Sequence, residues 1–185
     1  SFVLCGPPLP GTELEIGDAA GDPLPQRRVG RILVRGPGLM RGYDGRPDET
    51  AAVLSPDGWL DTGDLGFDYA AVADFPARLT ARVAEILAQG AGTLVLGGDH
   101  FITLPILRAV AARRGPVALI QFDAHSDTWV DDDPDRIDHG TFLYKAIREG
   151  AVDPAASVSI GIRTDNPDTL GVTILDAAGV HRDGV

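Results

Sequence analysis

The sequence predicts an α/β fold over residues 68–185, with helices covering both faces of a parallel sheet, preceded by a small β-rich segment over residues 1–67. After residue 68, continuous apolar segments alternate with segments of helical apolar spacing, which is typical of a parallel sheet with helical crossovers. Before it, short alternating segments are separated by turns rich in Gly and Pro. We therefore expect two domains, with the break near residues 67–69.

The β-rich segment is expected to contain short strands and one helix. "TELEIGD" and "VGRILVRG" alternate apolar and polar residues, as half-buried strands do, and the turns "GDPLP" and "RGPG" interrupt them. "RPDETAAVL" predicts a short helix, because Pro47 suits a first turn and because Asp48 and Glu49 suit its positive end. "DGWLDTGDLG" predicts a last strand and turn.

Three helices and four strands are expected after residue 68. "FPARLTARVAEILAQGAG" predicts the first helix, with apolar residues at Leu79, Val83, Ile86 and Leu87, and "ITLPILRAVAARRG" and "GTFLYKAIREG" predict the others. "TLVLGG" and "PVALIQFD" predict buried strands between these helices, and "SVSIGIR" and "VTILD" predict two more.

Composition excludes several classes of partner. The chain of 185 residues has a net charge of -11, which disfavours nucleic acid and anionic membranes as partners. Its single cysteine, Cys5, leaves no intrachain disulfide and fits a reducing, cytoplasmic location. No apolar run approaches the roughly 20 residues that a membrane span needs.

Candidate metal ligands follow two of the expected strands. Asp123, His125 and Asp127 stand at alternate positions after "PVALIQF", and they share a face if the extended backbone continues to residue 127. His100 ends "LVLGGDH", and sites in open parallel sheets lie beyond the carboxyl ends of the strands. Two imidazoles and two carboxylates suit Mn²⁺, Fe²⁺ or Zn²⁺.

The same residues also admit a structural interpretation, since a lone His or Asp at a strand end often caps a turn. For His139, which precedes Gly140, the local pattern alone favours a turn or capping role. The acidic run "DDDPDRID" predicts a solvated loop that would also attract a cationic substrate.

Four segments resemble the arginase/agmatinase (ureohydrolase) superfamily in order and spacing, and they look most like agmatinases: "GGDHFITLP", "QFDAHSDT", "DHGTFLYKAIREG" and "SIGIRTD". The resemblance covers residues 68–185 and implies a three-layer α/β sandwich. It also implies two Mn²⁺ ions that bridge a hydroxide, which attacks a guanidinium carbon. The implied substrate is a small guanidino compound such as agmatine, cleaved to putrescine and urea, and the implied assembly is a homo-oligomer.

Carried onto this sequence, the resemblance makes His100, Asp123, His125 and Asp127 metal ligands. It makes His139 the active-site histidine that transfers a proton. The chemistry is consistent, because a bound metal lets water supply hydroxide near neutral pH and a nearby histidine can protonate the departing amine.

The resemblance is incomplete at the end of the sequence. The family's remaining metal carboxylates lie in a later Asp-x-Asp strand, and "DNPDTLGVTILD" is not that motif, so Asp165, Asp168 and Asp176 are interpreted as turn and strand-end residues. We therefore expect an incomplete sandwich, an incomplete second metal site and little or no activity.

Residues 1–67 resemble a different family, the adenylate-forming acyl-CoA synthetases, through "PLPGTELEIGD" and "DGWLDTGDLG". In that family, the aspartate that matches Asp64 holds the ribose hydroxyls of ATP. The family's phosphate loop and catalytic lysine have no match, and Lys145 lies in the other segment, so a turn role is favoured for Asp64. The alternatives to a hydrolase are thus a synthetase fragment and a non-catalytic fusion of the two.

Overall fold

A computed structural model describes residues 8, 10–18, 20–25, 28, 30–63, 71–95, 97–136 and 138–184. The chain divides into two compact units, Ser1–Gly66 and Phe67–Val185. No helix in the described part of the chain has the length and apolarity that crossing a bilayer requires.

The first unit contains a small antiparallel sheet and one helix. Its strands, in the spatial order β1–β2–β3, are β1 (Glu13–Gly17), β2 (Arg31–Arg35) and β3 (Leu60–Asp61). Helix α1 (Pro47–Val53) begins at its proline and carries two acidic residues in its first turn. The β-rich character and the helix that the sequence predicts here are confirmed.

The described residues of the second unit form four α-helices. They are α2 (Phe75–Ala88), α3 (Thr103–Arg114), α4 (Phe142–Arg148) and α5 (Ala177–Asp183). The first three are confirmed predictions, and α2 buries Leu79, Val83 and Leu87, the stripe that its periodicity indicates. Helix α5 was not predicted. Helix α2 packs against α3, and α3 packs against α4.

A parallel sheet of three strands supports these helices. The strands are β4 (Ile120–Phe122), β5 (Val158–Ile162) and β6 (Thr173–Asp176), in the spatial order β4–β5–β6. The predicted α/β class with a parallel sheet is confirmed. The core joins helices α3 and α4 to the loops beside the sheet through buried side chains that include Phe101, Leu104, Leu107, Phe142, Leu143, Val152 and Val172.

Two strand predictions need correction. In the segment "TLVLGG", residues 93–95 lie outside any strand, and Leu94 is 89% exposed instead of buried. Residues 93–95 have no ladder partner among the described residues, so no neighbouring strand packs beside Leu94. The predicted strand "PVALIQFD" shortens to β4 and is buried on one face only, since Ile120 and Phe122 are 66% and 74% exposed.

Candidate metal centre

The chain turns sharply beyond the carboxyl end of β4. The strand ends at Phe122, residues 124–125 form a bend, and Asp127 has a φ of 53°. The expectation that extended backbone continues to residue 127 is therefore wrong. The metal-ligand candidates that do meet are brought together by this bend and not by the alternation of a strand.

Helix α4 holds the unusual backbone of Asp127. The Asp127 carbonyl oxygen accepts hydrogen bonds from the backbone N–H groups of Leu143, at 3.1 Å, and Tyr144, at 3.2 Å. These N–H groups belong to the first turn of α4, and the N–H groups of a first turn have no acceptor within their own helix. Aspartate is among the residues that tolerate the left-handed region, so this conformation suits both the helix end and the residue.

Three candidate ligands converge at this point. His100 Nδ1 lies 2.9 Å from Asp123 Oδ2 and 3.1 Å from Asp127 Oδ2. One ligand atom from each of the three residues lies within 4.8 Å of the other two. His100 lies in the short turn that leads into α3, and its ring packs on the fully buried ring of Phe142, with 4.4 Å between the two centroids. This contact restricts the orientation of the imidazole.

The donor set fits a divalent ion. Oxygen and nitrogen atoms bound to one ion at about 2.0–2.2 Å lie at most about 4.4 Å apart, so small side-chain shifts would close this group around one ion. A mixed set of one imidazole and two carboxylates suits a hard or borderline ion such as Mn²⁺, Fe²⁺ or Zn²⁺ better than a soft one. Asp127 is buried, and burial of a carboxylate is costly unless a cation or hydrogen bonds compensate it.

The electrostatics of the group favour a proton or a cation between the carboxylates. The hydrogen bond to Asp127 raises the pKa of His100 above its ordinary 6.5, although burial opposes this. Burial alone would raise the pKa of Asp123, but the backbone N–H groups of His125 and Ala124, the charge of His100 and the hydrogen bond of Gln121 together outweigh it and lower this pKa. A metal ion would take the place of the proton on His100.

His125 lies beside this group without joining it. Its Nδ1 is 3.4 Å from Asp123 Oδ1, its side chain is 64% exposed, and its backbone N–H donates to Asp123 Oδ1 at 3.0 Å. The bend at residues 124–125 turns its ring away from the face that continued alternation would give it. Its role as a ligand stays a prediction.

Of the remaining two site candidates, only His139 lies among the described residues, and it does not belong to the ligand group. His139 is 73% exposed in a short turn before α4, and its Nδ1 is 3.3 Å from Asp99 Oδ2. That turn packs against the turn of His100, so His139 stays close to the centre in the fold. Asp64, the candidate for the ATP ribose, lies outside the described residues.

Sequence reasoning missed two buried polar networks near the centre. Gln121 donates from Nε2 to Asp127 Oδ2 at 2.9 Å, and a polar residue inside the apolar run "VALIQF" could have signalled it. The acidic run is not simply a solvated loop, because buried Asp131 pairs with buried Lys145 at 3.0 Å. Lys145 Nζ also donates to the backbone oxygens of Asp133 and Arg136, which fastens this loop to α4.

Two family models match the chain. The model of the arginase family matches residues 39–185, and the model of AMP-binding enzymes matches residues 2–44. The two matches overlap inside the first unit, whereas the sequence predicts a break near residues 67–69. The position of the domain boundary stays a prediction.

Curated relatives agree with the longer match. The chain is 46% identical over 145 residues to an agmatinase of Chromobacterium violaceum, which covers 78% of this chain and 42% of the relative. It is 48% identical over 126 residues to an agmatinase of Neisseria meningitidis serogroup A, which covers 68% of this chain and 40% of the relative. The chain thus spans less than half the length of these relatives.

Solved structures share the fold of about two thirds of the chain. A hypothetical agmatinase from Burkholderia thailandensis matches with a TM-score of 0.64 and 49% identity, over 65% of this chain and 39% of that one. An arginase from Bacillus cereus matches with a TM-score of 0.54 and 26% identity, over 62% of this chain and 47% of that one. Together with the family match over most of the chain, these similarities show that the chain belongs to the arginase family.

Proposed function

We propose that this chain carries the metal-binding part of an agmatinase-like hydrolase that cleaves a guanidino C–N bond, converting agmatine to putrescine and urea. The observation that carries the proposal is the convergence of His100, Asp123 and Asp127 beyond the carboxyl end of a parallel sheet. The identity to agmatinases supports the substrate class. We also propose that the enzyme is cytoplasmic and forms a homo-oligomer.

The charges of the chain suit a cationic substrate. The net charge is -11, and the acidic segment after Val130 lies in the same unit as the candidate ligands. A guanidinium carries a positive charge at neutral pH, so a negative field would raise its local concentration. Salt would weaken this steering, and kcat/KM should therefore fall as ionic strength rises.

The proposed chemistry assigns a task to each side chain. A guanidinium is a poor electrophile and therefore requires a strong nucleophile. Bound Mn²⁺ would supply one by lowering the pKa of water. His100, Asp123 and Asp127 would hold the ion, and His125, beside Asp123, would complete its ligands. His139 would protonate the departing amine, and Asp99 is placed to orient its ring through Nδ1.

The first experiment measures urea release from agmatine in the presence of Mn²⁺. We expect a low rate for the parent chain and none for His100→Asn, since the variant loses a ligand. His181→Asn, an exposed histidine of α5, is the matched control and should behave as the parent. Urea release that is equal in parent and His100→Asn would overturn the proposal.

A second experiment separates binding from catalysis. Calorimetric titration of the parent with Mn²⁺ should show saturable binding, and His100→Asn should abolish it. Binding without turnover would favour the non-catalytic fusion. The AMP-binding match supports a synthetase ancestry for residues 2–44, and titration with ATP tests whether any nucleotide site remains.

A further inference from the structure

A buried hydrogen-bond network connects strand β5 to the candidate metal centre. Gln121 stands in the middle of β4 and is 5% exposed, and Ser159 of β5 is 1% exposed. The two residues are paired in register, and Ser159 Oγ lies 2.8 Å from Gln121 Oε1. Polar side chains buried this deeply are costly unless each polar atom has a partner.

The chemistry of its partners fixes the orientation of the Gln121 amide. Nε2 lies 2.9 Å from Asp127 Oδ2 and 3.3 Å from the backbone oxygen of His125, and both of these atoms only accept hydrogen bonds. Nε2 must therefore face them as the donor, and Oε1 must accept the hydroxyl of Ser159. If the amide turned over, its oxygen would face a carboxylate and a carbonyl.

This orientation ties the bend after β4 to the sheet. The Gln121 amide donates hydrogen bonds to the backbone oxygen of His125 and to the side chain of Asp127, on both sides of Ser126. Asp127 is then held at two places, by Gln121 at its carboxylate and by the start of α4 at its backbone oxygen. Groups that hold a ligand in this way orient it and influence metal affinity.

We infer that Gln121, which Ser159 anchors to β5 by a hydrogen bond, is a positioning residue for the metal ligand Asp127. It fixes the direction of the carboxylate through Oδ2, the same oxygen that His100 Nδ1 contacts at 3.1 Å. This inference rests on the proposed function, because it assigns Gln121 a role at the same centre. A network that served only to satisfy buried groups would affect stability and leave metal affinity unchanged.

The test compares two variants with a matched control. Gln121→Met keeps the length of the side chain and removes both hydrogen-bonding groups, while Ser159→Ala removes only the hydroxyl that donates to Gln121 Oε1. Ser157→Ala is the control, because Ser157 is also buried and hydrogen-bonded next to β5 but bonds to Asp153 and Leu119. Each protein is titrated with Mn²⁺ alone by calorimetry, and its Tm is measured in chelator.

We expect the Mn²⁺ Kd to rise about 10–100-fold for Gln121→Met and several-fold for Ser159→Ala. Ser157→Ala should lower the Tm and leave the Kd within about twofold of the parent. The electron paramagnetic resonance spectrum of bound Mn²⁺ should change in Gln121→Met and not in the control, since only the first alters the ligand geometry.

The outcomes separate this inference from the proposed function. A parent chain that binds no Mn²⁺ overturns both. A parent that binds Mn²⁺, with the same Kd in Gln121→Met, overturns only the role of Gln121. If Gln121→Met does not melt cooperatively, Ser159→Ala decides, and a Kd equal to that of the parent counts against the inference.

Discussion

At the scale of single residues, the centre depends on one backbone conformation. The sequence predicts the types of ligand and the end of the sheet at which they meet, because both follow from residue chemistry and strand direction. It does not predict that Asp127 leaves the extended region, with a φ of 53°. The N–H groups of Leu143 and Tyr144 in α4 hold this conformation. Because they are distant from Asp127 in the sequence, no local pattern around Asp127 reveals it.

Asp127 provides the first prediction. Asp127→Asn should keep the left-handed backbone, since asparagine also tolerates it, but it removes a charge from the ligand set. We expect Mn²⁺ affinity to fall by more than about 100-fold, because even changes behind the ligands cost about 10–100-fold. Calorimetric titration measures the change.

The control for this prediction is Asp165→Asn, which alters an exposed aspartate outside the ligand group. Its Mn²⁺ affinity should equal that of the parent. Equal Mn²⁺ affinities in Asp127→Asn and the parent would remove Asp127 from the site.

At the scale of elements, helices were easier to predict than strands. The apolar spacing of α2 fixes its buried face locally, and the structure buries that face. A strand needs a partner elsewhere in the chain, and residues 93–95 have none despite their apolar sequence. Helix α5 was missed because "AAGVHRD" lacks a clear apolar stripe, although Asp176 caps it by accepting from the N–H of Gly179.

Strand β5 contacts the centre closely at Gly161. This residue has a φ of 90°, and a Cβ placed on it would lie 3.2 Å from the backbone oxygen of Asp123. Gly161→Ala should therefore strain its own backbone, at about 1–3 kcal/mol, and also displace Asp123. We expect a lower Tm and weaker Mn²⁺ binding, measured by calorimetry.

Gly115→Ala is the matched control for this change. Gly115 also has a positive φ, of 82°, but no atom lies within 4 Å of a Cβ placed there. The control should lose stability for the same conformational reason and keep its Mn²⁺ affinity. An equal loss of affinity in both variants would contradict the proposed contact between β5 and Asp123.

The ion pair of Lys145 and Asp131 gives a prediction that depends on pH. Burial would raise the pKa of Asp131, but the hydrogen bonds from Lys145, the backbone N–H of Asp133 and Thr141, together with the charge of Lys145, outweigh it and lower this pKa below its ordinary 3.8. Its stabilising contribution is therefore present above the ordinary pKa and is lost as the pH falls through the lower, folded-state value. The structure thus ties the acidic loop to α4 most firmly near neutral pH.

Lys145→Met should lower the Tm strongly at neutral pH, since it leaves a buried carboxylate unpaired. The difference in Tm between parent and variant should narrow in acid, where Asp131 becomes protonated in both. Melting curves at several pH values measure it, with the exposed Arg114→Met as the control. A difference that does not depend on pH would show that the pair contributes only packing.

At the scale of the whole molecule, the sequence predicts two styles of fold, and the structure has two units. The family matches do not divide the chain in the same way. Strands β1 and β2 lie in the AMP-binding match, whereas α1 and β3 lie in the arginase match, yet β3 pairs with β2. Strand pairing depends on backbone hydrogen bonds and on the alternation of apolar residues, and not on ancestry. A compact unit can therefore combine segments that match different families.

The two outer strands of the parallel sheet present exposed apolar side chains on one face. Ile120 and Phe122 of β4 and Leu175 of β6 are exposed, and the register places them on the same side, since Phe122 is opposite Ile160 and Ile160 is opposite Leu175. Ile160, in the central strand between them, is buried. Parallel sheets are normally covered on both faces, and an exposed apolar patch on an edge strand favours association. We therefore expect the chain to self-associate as its concentration rises.

Replacement of both β4 side chains tests this expectation. Ile120→Thr/Phe122→Thr should shift the onset of association to higher concentration, because threonine suits a strand and removes most of the apolar surface. Leu94→Thr is the control, since Leu94 is more exposed than either but lies outside the sheet. Sedimentation velocity measures the assembly, and added salt should promote association by screening the net charge of -11. A parent chain that stays a monodisperse, cooperatively melting monomer would show that these exposed apolar side chains do not drive association.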